Sequence, residues 1–204
     1  MKNKKKVFVG ITGASGSIYG LRLIQELVKR AYFVEICFSK SGLQIARFET
    51  GIRFSDDASS LREDLVTNLS VKASRIIVFN ENNFFSEPAS GSNKYDAVFI
   101  VPCSMSSVAH IAYGTTRNLI QRAAEVALKQ GYPLVLVPRE TPVSLIHLRA
   151  MTVAAESGAK IVLPVPAFYQ KPKSIDHIIN FVVGKVLDAV GIENKLYRRW
   201  NPND

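Results

Sequence analysis

The chain has 204 residues, 47% of them apolar and 21% charged, with 26 Lys and Arg against 17 Asp and Glu for a formal charge of +9. The apolar content excludes a disordered polypeptide, the length suits one domain, and no stretch approaches the roughly 18 unbroken apolar residues of a membrane span. Lys2, Lys4, Lys5 and Lys6 supply four of the positive charges and read as a basic tail over residues 1–6. The other basic residues are scattered without a recognition signature, so no nucleic-acid partner is expected. The apolar run at 7–9 is too short for a secretion signal, and Cys37 and Cys103 lack paired or zinc-type spacing. A reduced, cytoplasmic protein is the reading that follows.

In chain order, residues 7–12 predict a strand that runs into Gly10-Ile-Thr-Gly-Ala-Ser-Gly-Ser17 and then a helix over 17–30. The glycines permit close backbone approach to a ligand, and the helix start favours an anion. The spacing matches neither GxGxxG, nor a P-loop, nor a hydrolase elbow. A tight turn with a serine N-cap is the competing reading. A second strand over 33–39 ends at Ser39-Lys-Ser41, followed by helices over 43–49 and 61–69 and a strand over 75–79. Residues 79–95, including Glu87-Pro-Ala-Ser-Gly-Ser92, are too polar for a strand and read as a binding loop. The strand over 97–101 ends in Pro102-Cys-Ser-Met-Ser-Ser107, hydroxyl-rich and opening a helix, and a further helix spans 116–129. On it Arg122, Glu125 and Lys129 share a face, with Glu125 and Lys129 at the favourable i,i+4 spacing.

A strand over 134–137 leads to Val137-Pro-Arg-Glu-Thr-Pro142, where Arg139 suits a phosphate fork and Glu140 a proton relay or a partner for the arginine. Helices over 144–156 and 174–190 flank a last strand at 160–163, and Gly131, Gly158 and Gly191 are stop signals. His110, His147 and His177 lack metal-type spacing, so no metal is expected and each reads as a capping or surface histidine. Strand–helix alternation with continuous apolar strands predicts a single three-layer, doubly wound parallel sheet of Rossmann or flavodoxin-like type over 7–190. Ligands then bind at the carboxyl ends of the strands. Three hydroxyl-rich strand ends on one rim suit a phosphate-bearing cofactor, flavin mononucleotide better than a nucleoside triphosphate.

Gly13-Ala-Ser15, Glu49-Thr50, Pro88-Ala-Ser-Gly91, Pro102-Cys-Ser104, Asn118-Leu-Ile-Gln-Arg-Ala-Ala124, Leu134-Val-Leu-Val-Pro-Arg-Glu140, Ile146-His-Leu148 and Phe168-Tyr169 together resemble the UbiX-type flavin prenyltransferases, over nearly the whole chain. The resemblance implies metal-free transfer of a dimethylallyl group from dimethylallyl phosphate to N5 and then C6 of reduced FMN. It also implies a dodecamer and delivery of prenylated FMN to a UbiD-type decarboxylase. Carried over residue by residue, Gly13, Ala14, Ser15, Ser39, Ser104, Met105, Ser106, Ser107 and Arg139 match FMN-binding positions. Tyr169 and Lys185 match dimethylallyl phosphate positions, with Ser90, Arg122, Lys129, Glu140 and Trp200 beside them, some from a neighbouring subunit. Ser15 and Glu49 are expected to handle protons at the flavin, Glu140 to deliver one to the phosphate, and Lys129 to stabilise it. Lys185 stands where some relatives have Arg, and the 191–204 tail is expected to serve the site or the oligomer. Residues 53–72 carry no assigned role. The alternatives are an FMN-dependent cysteine decarboxylase of the same fold, whose PASANT-type loop and catalytic histidine differ from Pro88-Ala-Ser-Gly91 here, an aromatic-acid decarboxylase, and a non-enzymatic flavin-binding module.

Overall fold

The structure, a computed structural model, describes residues 5–201. Six strands, β1 (Lys6–Ile11), β2 (Phe33–Phe38), β3 (Ile76–Phe79), β4 (Ala97–Cys103), β5 (Leu134–Pro138) and β6 (Lys160–Ile161), pair in parallel in the order β3-β2-β1-β4-β5-β6. Seven α-helices accompany them among the described residues: α1 (Ser17–Lys29), α2 (Lys40–Thr50), α3 (Ala58–Leu69), α4 (Met105–Ala112), α5 (Leu119–Gln130), α6 (Leu145–Glu156) and α7 (Ile175–Asp188). Strand side chains alternate between the two faces of a sheet. Val7, Val9 and Ile11 pack with Leu21, Leu43, Leu65 and Val183, so α1, α2, α3 and α7 cover one face. Phe8 packs with Val98, Val108, Ala124 and Ala150, placing α4, α5 and α6 on the other. Burial on both sides is why the strands read as unbroken apolar runs.

The doubly wound parallel sheet expected from the alternation is therefore present, with two differences in detail. β6 covers only Lys160–Ile161, shorter than the 160–163 expected, while the helix expected to open after Ser104 is α4, anchored by buried Met105, Val108 and Ile111. Lys6, assigned to a solvated tail from its neighbours' charge, instead opens β1; residues 1–4 of that tail lie outside the described residues. The reason is electrostatic. Glu35 of β2 is buried, and a buried carboxylate requires a charged or hydrogen-bonded partner. The Lys6 ammonium meets it at 2.8 Å, pairs also with Glu87, and stands 4.7 Å from the centre of the Tyr95 ring.

Close packing of α1 on the sheet depends on Gly20, where a Cβ atom would fall 2.2 Å from the Val101 carbonyl oxygen. That neighbour is backbone in a central strand and has little freedom to retreat. Gly20→Ala is expected to cost about 1–3 kcal/mol of stability through overpacking, read as a lower midpoint in urea unfolding at unchanged slope.

Candidate functional site

Strand order reverses between β1 and β4, so the connections leaving their carboxyl ends turn to opposite faces and leave a crevice between them. Thr12 laces this crevice at its base. Its hydroxyl donates to the Pro102 carbonyl at 3.1 Å and accepts from the Ser104 N–H at 2.7 Å. The Ser39 N–H donates to the Ile11 carbonyl at 2.9 Å, which brings the loop after β2 onto the same rim. The loops carrying Gly13, Ala14 and Ser15, Ser39, and Ser104 to Ser107 thus converge. A Cβ atom on Gly13 would lie 2.4 Å from the Ser41 hydroxyl oxygen, so glycine permits this close approach.

Each loop opens a helix, and the three starts are capped differently. Ser39 accepts from the Gly42 N–H at 3.0 Å, and Ser104 accepts from the Ser107 N–H at 3.2 Å while donating to the Ser107 hydroxyl at 3.0 Å. At α1 the expected serine cap is absent. Gly16 occupies the N-cap in the left-handed region, φ 100°, and its side chain can offer nothing. Glu49, from the last turn of α2, takes the place of a cap. Its carboxylate accepts from the Gly16 N–H at 2.9 and 3.1 Å, from the Ser17 N–H at 2.9 Å and from the Ser17 hydroxyl at 2.6 Å. Burial opposes its ionisation, but these bonds and one from the Ser15 side chain outweigh burial and hold the carboxyl below the usual carboxylate range. The positive end of the α1 dipole acts in the same direction. Burial, with the Glu49 charge alongside, pushes the neighbouring Tyr19 phenol up.

Ser15, Glu49 and Arg139 share the wall of a cavity of about 830 Å³, completed by Ile18 and Tyr19 of α1, Thr50, Ile52, and Ile175, Ile178 and Ile179 of α7. None of the apolar wall residues was singled out from the sequence, since those of α1 and α7 are ordinary helix-face residues until the two helices are apposed, and Ile52 is an ordinary loop residue. Asn68 and Leu69, from the 53–72 stretch that carried no expected role, also line it. Arg139 follows β5, and its buried Nε has no hydrogen-bond partner within the protein. A buried guanidinium nitrogen lacking an acceptor matches a site that receives an anionic oxygen from a ligand. These residues fit a phosphate-bearing group such as FMN.

The remaining expected residues form two separate groups. Arg122 on α5 donates from Nε to the Ala89 carbonyl at 3.2 Å and pairs with Glu125 at 3.0 Å; it is Arg122 that engages Glu125, and Lys129 one turn on is exposed. Ser90 is exposed beside them, so this group sits on the α5 side of the sheet. Tyr169, Lys185 and Trp200 are exposed on the α7 side, where Tyr169 meets Phe181 edge-on and the Lys185 ammonium lies 5.7 Å from the centre of the Tyr197 ring. Glu140 is exposed at the crevice mouth next to Arg139, its carboxylate accepting from the Thr141 N–H at 3.1 Å. His147 and His177 accept backbone N–H groups at the starts of α6 and α7, and His110 meets the Thr115 hydroxyl. Burial raises both cysteine thiols well above their usual range, so neither Cys37 nor Cys103 is a nucleophile here.

Residues 1–187 match the family model described as Flavoprotein. The flavin prenyltransferase UbiX of Methanocaldococcus jannaschii is 43% identical over 195 residues, covering 96% of this chain and 98% of that protein. A crystal structure of AnUbiX (PadA1) in complex with FMN and dimethylallyl pyrophosphate superposes with a TM-score of 0.85 at 35% identity, covering 98% of both chains. A dodecameric FMN-dependent UbiX-like decarboxylase from Escherichia coli O157:H7 gives 0.84 at 36% identity, with 96% and 99% coverage. The FMN-dependent cysteine decarboxylase TvaF gives 0.61 at 13% identity, a likeness of fold alone. Similarity to the prenyltransferases that runs from end to end in sequence and in fold shows that the chain belongs to the UbiX-type flavin prenyltransferases.

Proposed function

We propose that the protein joins a dimethylallyl group from dimethylallyl phosphate to N5 and C6 of reduced FMN, making prenylated FMN for a UbiD-type decarboxylase. The observation that carries this reading is the meeting of Arg139, with its partnerless buried nitrogen, Ser15 and ionised Glu49 on one apolar-walled cavity. Gly13, Ala14, Ser15, Ser39, Ser104, Met105, Ser106, Ser107 and Arg139 hold FMN, which supplies the electron-rich ring positions that accept the prenyl group. Breaking an allylic carbon–oxygen bond separates a carbocation from a phosphate anion, so the chain must stabilise both charges. Arg122, Lys129, Arg139 and Lys185 with the Tyr169 hydroxyl and Ser90 hold the phosphate, and Glu140 delivers its proton. Trp200 and Tyr169 offer π faces to the cation. Glu49, ionised and bonded to Ser15 and Ser17, accepts a proton through Ser15.

The phosphate-binding residues lie on opposite faces of one protomer, so the complete site requires neighbouring copies. Apolar exposure supports the same view. Leu145, Ile146 and Leu148 on α6 are 60%, 73% and 47% exposed, and Phe168 nearby in the chain's last third is 72% exposed. Large apolar side chains left this exposed suit a protein interface. We place the assembly as a dodecamer in the cytoplasm; among the described residues no helix is long and apolar enough to cross a membrane.

Anaerobic incubation of the purified protein with reduced FMN and dimethylallyl phosphate is expected to add one prenyl unit to the extracted flavin, read by mass spectrometry; an unmodified flavin refutes the reading. The same protein alone should release no carbon dioxide from cysteine-containing or aromatic-acid substrates. Glu49→Gln should keep FMN affinity but slow prenylation on the order of 100-fold, the scale of a lost general base. Because the folded-state Glu49 titrates below the usual 4.5, its stabilisation is present at neutral pH and is lost as pH falls through the folded value. The thermal deficit of Glu49→Gln should therefore be seen at pH 7 and close on acidification below 4.5. Ile146→Asp is expected to sediment as a smaller species with reduced prenylation, recovered in no degree by added FMN.

A further inference from the structure

The Pro88-Ala-Ser-Gly91 segment holds Ser90, which the proposed function assigns to the donor phosphate, yet it belongs to no strand and has only a single 3-10 turn, Glu87–Ala89, to give it shape. Three side chains from elsewhere hold its backbone. Arg122 Nε donates to the Ala89 carbonyl at 3.2 Å, the Tyr132 hydroxyl to the Gly91 carbonyl at 3.3 Å, and Asn93 Nδ2 to the Glu87 carbonyl at 3.2 Å. Gly91 is pressed against α5 so closely that a Cβ atom would stand 2.5 Å from Gln130 Nε2. The fourth tether is of a different kind. Glu87 pairs with the Lys6 ammonium, and Lys6 pairs in turn with Glu35 at 2.8 Å, a carboxylate buried in the middle of the sheet that also accepts from the Tyr95 hydroxyl.

This chain of charges is costly unless it is complete. Glu35 is 1% exposed, and burial raises its carboxyl above the usual range even with Lys6 and Tyr95 opposing that rise. An apolar residue would serve the packing of β2 as well or better, since replacing a buried ion pair by hydrophobic side chains is often neutral or stabilising. The arrangement has one geometric result that an apolar core would lack. It fixes the ammonium of a β1 residue, rigid because β1 is the centre of the sheet, at the point where Glu87 can seize it. Glu87 itself is 58% exposed in its side chain, so its pairing is not forced by burial.

We propose that Glu87 is a positioning residue, and that Lys6 and Glu35 form its rigid mount: together they hold the 88–91 segment so that Ser90 meets the phosphate of the prenyl donor. The inference rests on the prenyl-transfer reading and deepens it, since it names what sets the donor-phosphate geometry on the α5 side. Glu87 touches neither donor nor flavin. It acts through Ser90, and its loss raises the concentration of dimethylallyl phosphate needed without altering FMN binding.

The test uses the full-length assembled protein with dimethylallyl phosphate as the probe. Glu87→Gln keeps size and hydrogen-bonding capacity, and its exposed position spares the fold. KM for dimethylallyl phosphate is expected to rise on the order of fivefold, with kcat and FMN affinity within about twofold of wild type. Calorimetric affinity for the unreactive saturated analogue, isopentyl phosphate, should fall in parallel, and Tm should stay within the error of wild type. In a Ser90→Ala background the Glu87→Gln effect on KM should disappear, because the two act in series. An unchanged KM, or an effect that adds in full to that of Ser90→Ala, overturns the positioning role while leaving prenyl transfer intact. Absence of turnover by the wild type overturns both readings together.

Discussion

The reversal of strand order between β1 and β4 is the constraint from which the rest of the structure follows. Two parallel strands whose connections leave toward opposite faces cannot be closed over by either connection, and the gap is lined by whatever ends the strands. Thr12 and Ser104 hold the gap at a fixed width by exchanging hydrogen bonds with backbone. Helix starts then point into it from α1, α2 and α4. Each start favours an anion through its N–H groups, and Arg139 stands at the edge.

Such a crevice still has to distinguish a bound anion from its own carboxylates. Glu49 occupies the start of α1 and satisfies N–H groups that a ligand phosphate would otherwise compete for. Arg139, whose buried Nε has no acceptor in the protein, adds a further group for an anion. Glu49 and Arg139 share a largely apolar wall, with the nearby Arg22 guanidinium already engaged by Asp176 and Asn180, and so make a site with separated charges. Charges there interact far more strongly than at a wet surface. Such a site suits a reaction that creates a cation and an anion together.

On the proposed reading, the sheet divides the donor-site residues between two faces of one chain. Ser90, Arg122 and Lys129 are carried by elements on the α5 face, and Tyr169, Lys185 and Trp200 by elements on the α7 face. A three-layer fold separates these faces by the thickness of the sheet and both helix layers. The exposed apolar residues of α6 and the segment after β6 supply the contact that would bring copies together.

Much of this was legible in the residues themselves. Continuous apolar runs marked the central strands, because burial on both faces removes the need for polar alternation. Glycines marked the helix ends, and Gly131 does adopt φ 70° at the end of α5. The converging hydroxyl-rich strand ends followed from parallel topology alone. Other features lay beyond reach of any pattern. The last strand, expected over 160–163, stops at Ile161, because its pairing with β5 ends there. Neither the capping of α1 by Glu49, 33 residues from Gly16, nor the drawing of Lys6 out of a basic tail by buried Glu35 has a local signature. The sequence by itself determined the elements, their order and the chemistry available at each strand end, since those depend on local periodicity and composition. Only the tertiary structure decided which groups share a wall and which are parted by the sheet, because apposition across the chain is set by packing and charge compensation rather than by spacing.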